Sequence, residues 1–142
     1  FVALQVRAAS AGSEAFERTQ AMAIAQDLAE RVRLNPRQMN FYSTASSWTN
    51  PGSSDSCETA DCTELQLAQY DIAQVVNTAM SMLPNGQIRM AECSGSTAGN
   101  VFRCIYVSWN DTTPTMGGGD TDCVTAAGRY RDGATCIMME AY

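Results

Sequence analysis

Two segments, Gln87-Ile88-Arg89-Met90-Ala91-Glu92-Cys93 and Arg103-Cys104-Ile105-Tyr106-Val107-Ser108-Trp109, decide the fold. In both, large apolar residues alternate with polar or small ones, the pattern of an extended strand with one buried face. When Cys93 is set opposite Cys104 in an antiparallel pair, Ile88 faces Trp109, Met90 faces Val107 and Glu92 faces Ile105. One face then gathers nearly all the large apolar side chains. The other carries Arg89, Ala91, Tyr106 and Ser108 with the cystine, which would staple the solvent side of a hairpin closed by residues 94–100. Cysteine spacing and hydrophobic alternation are independent signals, and here they agree.

Downstream, residues 110–133 are loaded with Thr, Asp and Gly and read as a loop region held by a Cys123/Cys136 bridge. A last strand, residues 135–142, alternates Ile137, Met139 and Ala141 with Cys136, Met138 and Glu140 and completes the sheet. Upstream, Thr63 and Gln66 form a capping box. Leu65, Ala68, Ile72, Val75 or Val76, Ala79 and Leu83 continue from it as a helical stripe over residues 64–83, stopped by Pro84-Asn85-Gly86. Met80, Met82 and Met90 read as core gap-fillers, because the close Cys or His partners of a copper site are missing. Residues 35–63 show neither strand nor helix period and read as a long connecting loop. Phe41, Tyr42 and Trp48 anchor it to the core or, alternatively, offer a ligand platform; a Cys57/Cys62 bridge closes its end.

Residues 1–34 contain no proline and only Gly12, and good helix formers dominate. In the second half of this long helix Ala21, Ile24, Ala25, Leu28 and Val32 recur at spacings of three and four, an apolar stripe that packs on the domain. In the first half Val2, Val6, Ala9, Ser13 and Phe16 continue a weaker strip. At roughly 1.5 Å per residue the whole helix reaches about 50 Å, longer than a domain of this size is wide. The strip is therefore expected to project and to meet other subunits, and Asn35-Pro36 ends the helix.

The chain of 142 residues is 45% hydrophobic and 17% charged, with a formal net charge of -6. It fits a single α+β domain over residues 1–142 and carries no basic footprint for nucleic acid. It has no His, and all its basic residues are Arg. Histidine general bases, Ser-His and Ser-Lys nucleophiles and the P-loop lysine are thereby excluded, and the protein is expected not to be an enzyme. The six cysteines are even in number and lack a C-x-x-C pair, which favours disulfides in an oxidising compartment over a zinc site. Gly117-Gly118-Gly119 is followed by Asp120-Thr121-Asp122, which would repel phosphate. Asp111, Asp120 and Asp122 lack the ordered series of a calcium loop and read as a solvated turn, so neither metal nor cofactor is expected. Asn110-Asp111-Thr112 fits a glycosylation sequon.

The order of long helix, polar connection, second helix and cystine-closed antiparallel sheet resembles type IV pilins. The resemblance is closest to the PilV family of minor pilins, the type IV pilus modification proteins. It is carried by Leu4-Gln5-Val6-Arg7-Ala8-Ala9, by the run from Gln20 through Asp27-Leu28-Ala29-Glu30-Arg31 to Asn35-Pro36, by Leu67-Ala68-Gln69-Tyr70-Asp71 and Leu83-Pro84-Asn85-Gly86-Gln87, and by Tyr106-Val107-Ser108-Trp109. It covers most of the chain and is weak over the Thr/Asp/Gly loop.

The resemblance implies a type IV pilin fold and a subunit that primes pilus assembly with other minor pilins and the major pilin. It further implies a place at the pilus tip, where a tip adhesin is a further contact, and a part in cell adhesion and twitching motility. The family begins with a prepilin-peptidase signal, a methylated mature N-terminus and a very hydrophobic half-helix. Phe1-Val2-Ala3-Leu4 corresponds to the tail of that half-helix, so the chain is expected to be a soluble segment starting partway down it. The implied location is the bacterial inner membrane with a periplasmic head, then the extracellular pilus. A minor pseudopilin of type II secretion shares the architecture, and a secreted carbohydrate- or ligand-binding module using Trp48, Tyr42 and the Gly/Asp loop is the alternative from another class.

Six cysteines admit many connectivities, and the outer two pairs rest on proximity alone. Non-reducing peptide mapping is expected to return Cys57–Cys62, Cys93–Cys104 and Cys123–Cys136; a peptide linking Cys93 to any other cysteine would contradict the hairpin.

Overall fold

The computed structural model describes residues 2–50, 52 and 57–141, with side chains described from residue 12 onward. Its elements are α1 (Val2–Arg33), a 3-10 turn (Pro36–Gln38), α2 (Met39–Tyr42), α3 (Ala45–Thr49) and α4 (Glu64–Met82), followed by β1 (Gln87–Glu92), β2 (Arg103–Ser108), β3 (Thr113–Met116), β4 (Asp122–Val124) and β5 (Cys136–Glu140). Strands β1, β2 and β5 form an antiparallel sheet with β2 in the middle. The alternation that makes these strands directs Ile88, Met90, Ile105, Val107, Trp109 and Ile137 to one face. There they meet the α1 stripe, Ala21, Ile24, Ala25, Leu28 and Val32, and the α4 stripe, Ala68, Ile72, Val75 and Ala79.

Helix α4 starts at a capping box: the Gln66 N–H donates to Thr63 Oγ1 at 3.1 Å and the Thr63 N–H to Gln66 Oε1 at 2.9 Å. It stops in a turn where Asn85 takes a left-handed φ of 53°. Gly86 then lies so close to the helix end that a Cβ there would sit 1.9 Å from the Ala79 carbonyl oxygen, so only glycine fits.

Met80 and Met82, expected as core gap-fillers, are exposed because they fall on the face of α4 turned away from the sheet, as is Leu65 at its start; of the three methionines only Met90 is buried. Four further expectations need correction. The hairpin is shifted by two residues: Ile88 faces Val107, Met90 faces Ile105 and Ala91 faces Cys104. Cys93 lies beyond the end of β1, where its N–H donates to Phe102 O at 2.8 Å, and reaches Cys104 diagonally with their Cα atoms 5.1 Å apart. Because the shift is even, every side chain keeps its face. Second, the cystine face is not solvent-facing. Cys104, Tyr106, Cys123, Val124 and Cys136 form a second buried cluster, roofed by the chain from β3 to β5. Third, residues 110–133 are not only loop, since β3 and β4 pair in parallel across a five-residue link, residues 117–121. Fourth, the connection 35–63 folds into single helical turns; their length is too short to show a period, and the Ser43 and Thr44 hydroxyls bond back to Met39 O and Asn40 O.

A buried polar cluster ties the connection to both helices. Tyr42 donates to Asp71 Oδ2 at 2.6 Å, Arg31 Nη1 donates to Asp71 Oδ1 at 2.9 Å, and Asn35 Nδ2 donates to Glu64 O at 2.9 Å. Tyr42 is fully buried and Asp71 nearly so. Burial, reinforced by the Asp71 carboxylate, pushes the Tyr42 phenol well above its ordinary value of 10.0.

Ile88→Ala, Val107→Ala and Trp109→Ala should each cost about 2–5 kcal/mol, read as denaturant midpoints, because all three side chains are buried on the helix-covered face. Ser108→Ala should be near neutral: that hydroxyl is buried with no partner among the described residues, so nothing is lost with it. The Tyr42 linkage has a definite sign. A phenol raised on folding stabilises fully below pH 10.0, and the contribution falls as the pH rises above that value, where the unfolded chain ionises first. Tyr42→Phe should therefore lower stability by about 1–3 kcal/mol at neutral pH. The gap to the wild-type melting curve should narrow in alkali; a gap independent of pH would refute the linkage.

Candidate assembly surface

The buried α1 stripe begins at Ala21, and of the side chains described upstream of it those of residues 12–16 are exposed. Ser13 and Phe16, three residues apart and so on neighbouring positions of one face, are both exposed, Phe16 by 62%. The side chains of Val2, Val6 and Ala9, the rest of the expected strip, lie outside the described residues, although the helix backbone runs through them.

Arg18 joins this part of the helix to the sheet. Its Nη1 donates to Cys136 O at 3.1 Å and its Nη2 to Ala134 O at 3.3 Å, while Glu14 Oε1 accepts from Nη2 at 2.9 Å. The guanidinium carbon stands 5.5 Å from the Trp109 ring centre, within cation–π range. Two clefts meet at Arg18. One, of about 510 Å³, runs between Glu14 and the Tyr130–Thr135 segment. The other, of about 490 Å³, is lined by Thr19, Met22, Ala23, Gln26 and Ile137. The first is a mixed-charge margin, with Glu14 and Asp132 beside Arg18 and Arg131, and the second is mostly apolar. Neither Arg18 nor Tyr130 stood out in the sequence, because their partners lie far away or outside any periodic pattern; Arg18 bonds a strand more than a hundred residues on.

The other candidate residues resolve into structural roles. Cys57–Cys62, Cys93–Cys104 and Cys123–Cys136 are disulfides with Cα separations of 5.3, 5.1 and 5.9 Å, inside the normal range. Tyr42 is a core residue, and Trp48 is partly buried with its Nε1 donating to Tyr42 O at 2.7 Å, so the two rings form no exposed platform. Asp122 turns into its own loop, accepting from the Gly119 N–H at 2.8 Å and from the Thr115 hydroxyl; these bonds hold its carboxyl below the usual range. Among the described residues no three His, Cys, Asp or Glu side chains converge as metal ligands. Asn110 of the sequon is exposed in a left-handed turn, φ 56°, with its carbonyl accepting from Asn85 Nδ2 at 2.7 Å.

A long helix laid across an antiparallel sheet, with cystine-held segments on the far side, defines this as a type IV pilin fold. The family model described as Type IV pilin Tt1218 matches residues 3–73, half of the chain, from α1 into α4; the chain belongs to this Tt1218-like family of type IV pilins. No curated protein and no solved structure matches it. Among the described residues no helix is long and apolar enough to cross a membrane.

Proposed function

We propose that this pilin is a minor pilin of the PilV type, which associates with other minor pilins and the major pilin to prime pilus assembly and sits at the pilus tip. The observation that carries the reading is the length of α1 that runs past its own sheet and leaves Phe16 in water. Exposed residues add little to a helix standing alone, so a helix that is extended but uncovered is supported when a neighbouring subunit supplies the contact. The sequence resemblance to PilV proteins over both long helices adds to this, as does the lack of His and Lys, which fits a structural role rather than an enzymatic one.

In this reading an apolar half-helix upstream of the chain holds the subunit in the inner membrane with its head in the periplasm, and packs in the filament once the subunit joins the extracellular pilus. A tip adhesin is a further contact of the same surface. The net charge of -6 favours less acidic partners without supplying affinity, so binding should weaken only moderately with salt.

Val6→Arg and Phe16→Glu should together abolish co-purification with other minor-pilin heads and, in the full-length protein, piliation. The melting temperature of the head should barely change, because Phe16 is exposed and makes no part of the core. Normal piliation with both substitutions in place would reject the helix as the assembly surface.

A further inference from the structure

Strand β5 is an outer strand of its sheet, and its outer edge is where a further strand would hydrogen-bond. The Trp109 N–H donates to Thr135 O and the Ala141 N–H to Arg103 O, so the odd-numbered residues of this strand bond inward to β2. By the alternation of an antiparallel ladder, the backbone groups of Cys136, Met138 and Glu140 point outward. Two side chains meet them. The Met138 N–H donates to the Tyr130 hydroxyl at 2.8 Å, and that hydroxyl donates to Met138 O at 3.4 Å. Arg18 holds Cys136 O at 3.1 Å and, just before the strand, Ala134 O at 3.3 Å. One phenol and one guanidinium thus occupy the Cys136 carbonyl and both Met138 groups, three of the positions that a neighbouring strand would take.

We infer that Tyr130 and Arg18 form a plug that closes the β5 edge and keeps the head from pairing with a second copy of itself. The second copy is the fitting occupant because an antiparallel β5–β5 pair centred on Met138 is self-complementary. It would match each outward N–H with a C=O and keep the two Glu140 carboxylates about 14 Å apart, at roughly 3.4 Å per residue. The plug is held in place from both sides, by the Cys123–Cys136 disulfide at the base of the Tyr130 segment and by the Glu14–Arg18 ion pair on α1. The inference concerns the head alone and stands apart from its role in the pilus.

The test uses the purified 142-residue chain and its variants Tyr130→Phe and Tyr130→Phe/Arg18→Gln. In the dilute monomer Tyr130→Phe should raise the exchange rate of the Met138 amide at least tenfold, as read by NMR. On concentration the double variant should form dimers by sedimentation equilibrium, with the Met138 amide protected again, whereas the wild type stays monomeric. Met138→Pro added to the double variant should return it to the monomer, since proline has no N–H to donate. Unchanged Met138 exchange in Tyr130→Phe would overturn the plug. A double variant that remains monomeric, or dimers that survive Met138→Pro, would overturn the pairing. Should the double variant fail to fold, Tyr130→Phe alone decides through the same two measurements.

Discussion

Strand β2 has no face that it can leave to water. From Cys104 to Ser108 every residue is buried, so the strand requires cover on both sides of a sheet only three strands wide. Two layers supply it by different means. On one face the cover is conventional, since the apolar stripes of α1 and α4 bury Ile105 and Val107. On the other, the roof comes from a Gly- and Thr-rich chain that has few large apolar residues of its own. There cystines substitute for hydrophobic area: Cys104, Cys123 and Cys136 are themselves core residues, and their bridges fix the segment that covers Tyr106. In the chain-entropy account a bridge closing a loop of this size contributes about 3 kcal/mol, comparable to burying one large side chain.

The same constraint explains the shape of α1. The sheet is long enough to cover the helix from about Ala21 to Val32, and Arg18 extends the attachment by one turn through hydrogen bonds and a cation–π contact rather than through apolar burial. Beyond it, the described side chains of residues 12–16 are exposed. The buried stripe of α1, Ala21 to Val32, therefore ends before the exposed Phe16, and in the proposed reading stability and association would vary independently. The polar cluster of Arg31, Tyr42 and Asp71 does for the far end of α1 what Arg18 does for the near end. It fixes the connecting segment and α4 against the helix by paired, hydrogen-bonded charge, and removing Asp71 would leave the buried Tyr42 hydroxyl without its acceptor while Arg31 would keep Asp27.

What could be read from the sequence follows the range of the interactions. The two long helices, the capping box at Thr63 and most of the side chains facing the helix layer follow from short-range patterns and match the structure, whereas Leu65, Met80 and Met82, expected in the core, are exposed. The pairing of Cys93 with Cys104 was legible, but its use as a register marker misled by two residues. A cystine can join diagonal neighbours at the fraying end of a strand, whereas the register is set by the backbone bond from Cys93 to Phe102. The second core was illegible because its roof is built from residues with no apolar pattern. Tyr106, beside Ser108 and Arg89, resembles a solvated face until a segment some twenty residues away folds over it. The short turns of residues 36–49 failed for the same reason, since one turn cannot display a period.

The candidate surface shows this division at finer scale. Ser13 and Phe16 are recognisable because they extend a helical spacing past the point where the domain can cover it, an argument from length alone. Arg18 and Tyr130 were not recognisable, since each acts on backbone atoms, and a carbonyl or N–H carries no side-chain identity in a sequence. Both act on one narrow margin, where α1 passes the outer strand. That margin combines an unfinished helix face with a sheet edge closed only by side chains, two features that favour association by different chemistries: apolar contact along the helix and backbone hydrogen bonding along β5. If both proposals hold, the helix contact needs no change in β5 whereas the edge contact needs Tyr130 displaced, so the first is open while the second is held back. A head that meets partners through α1, as proposed, would do so without exposing a strand to pair indiscriminately.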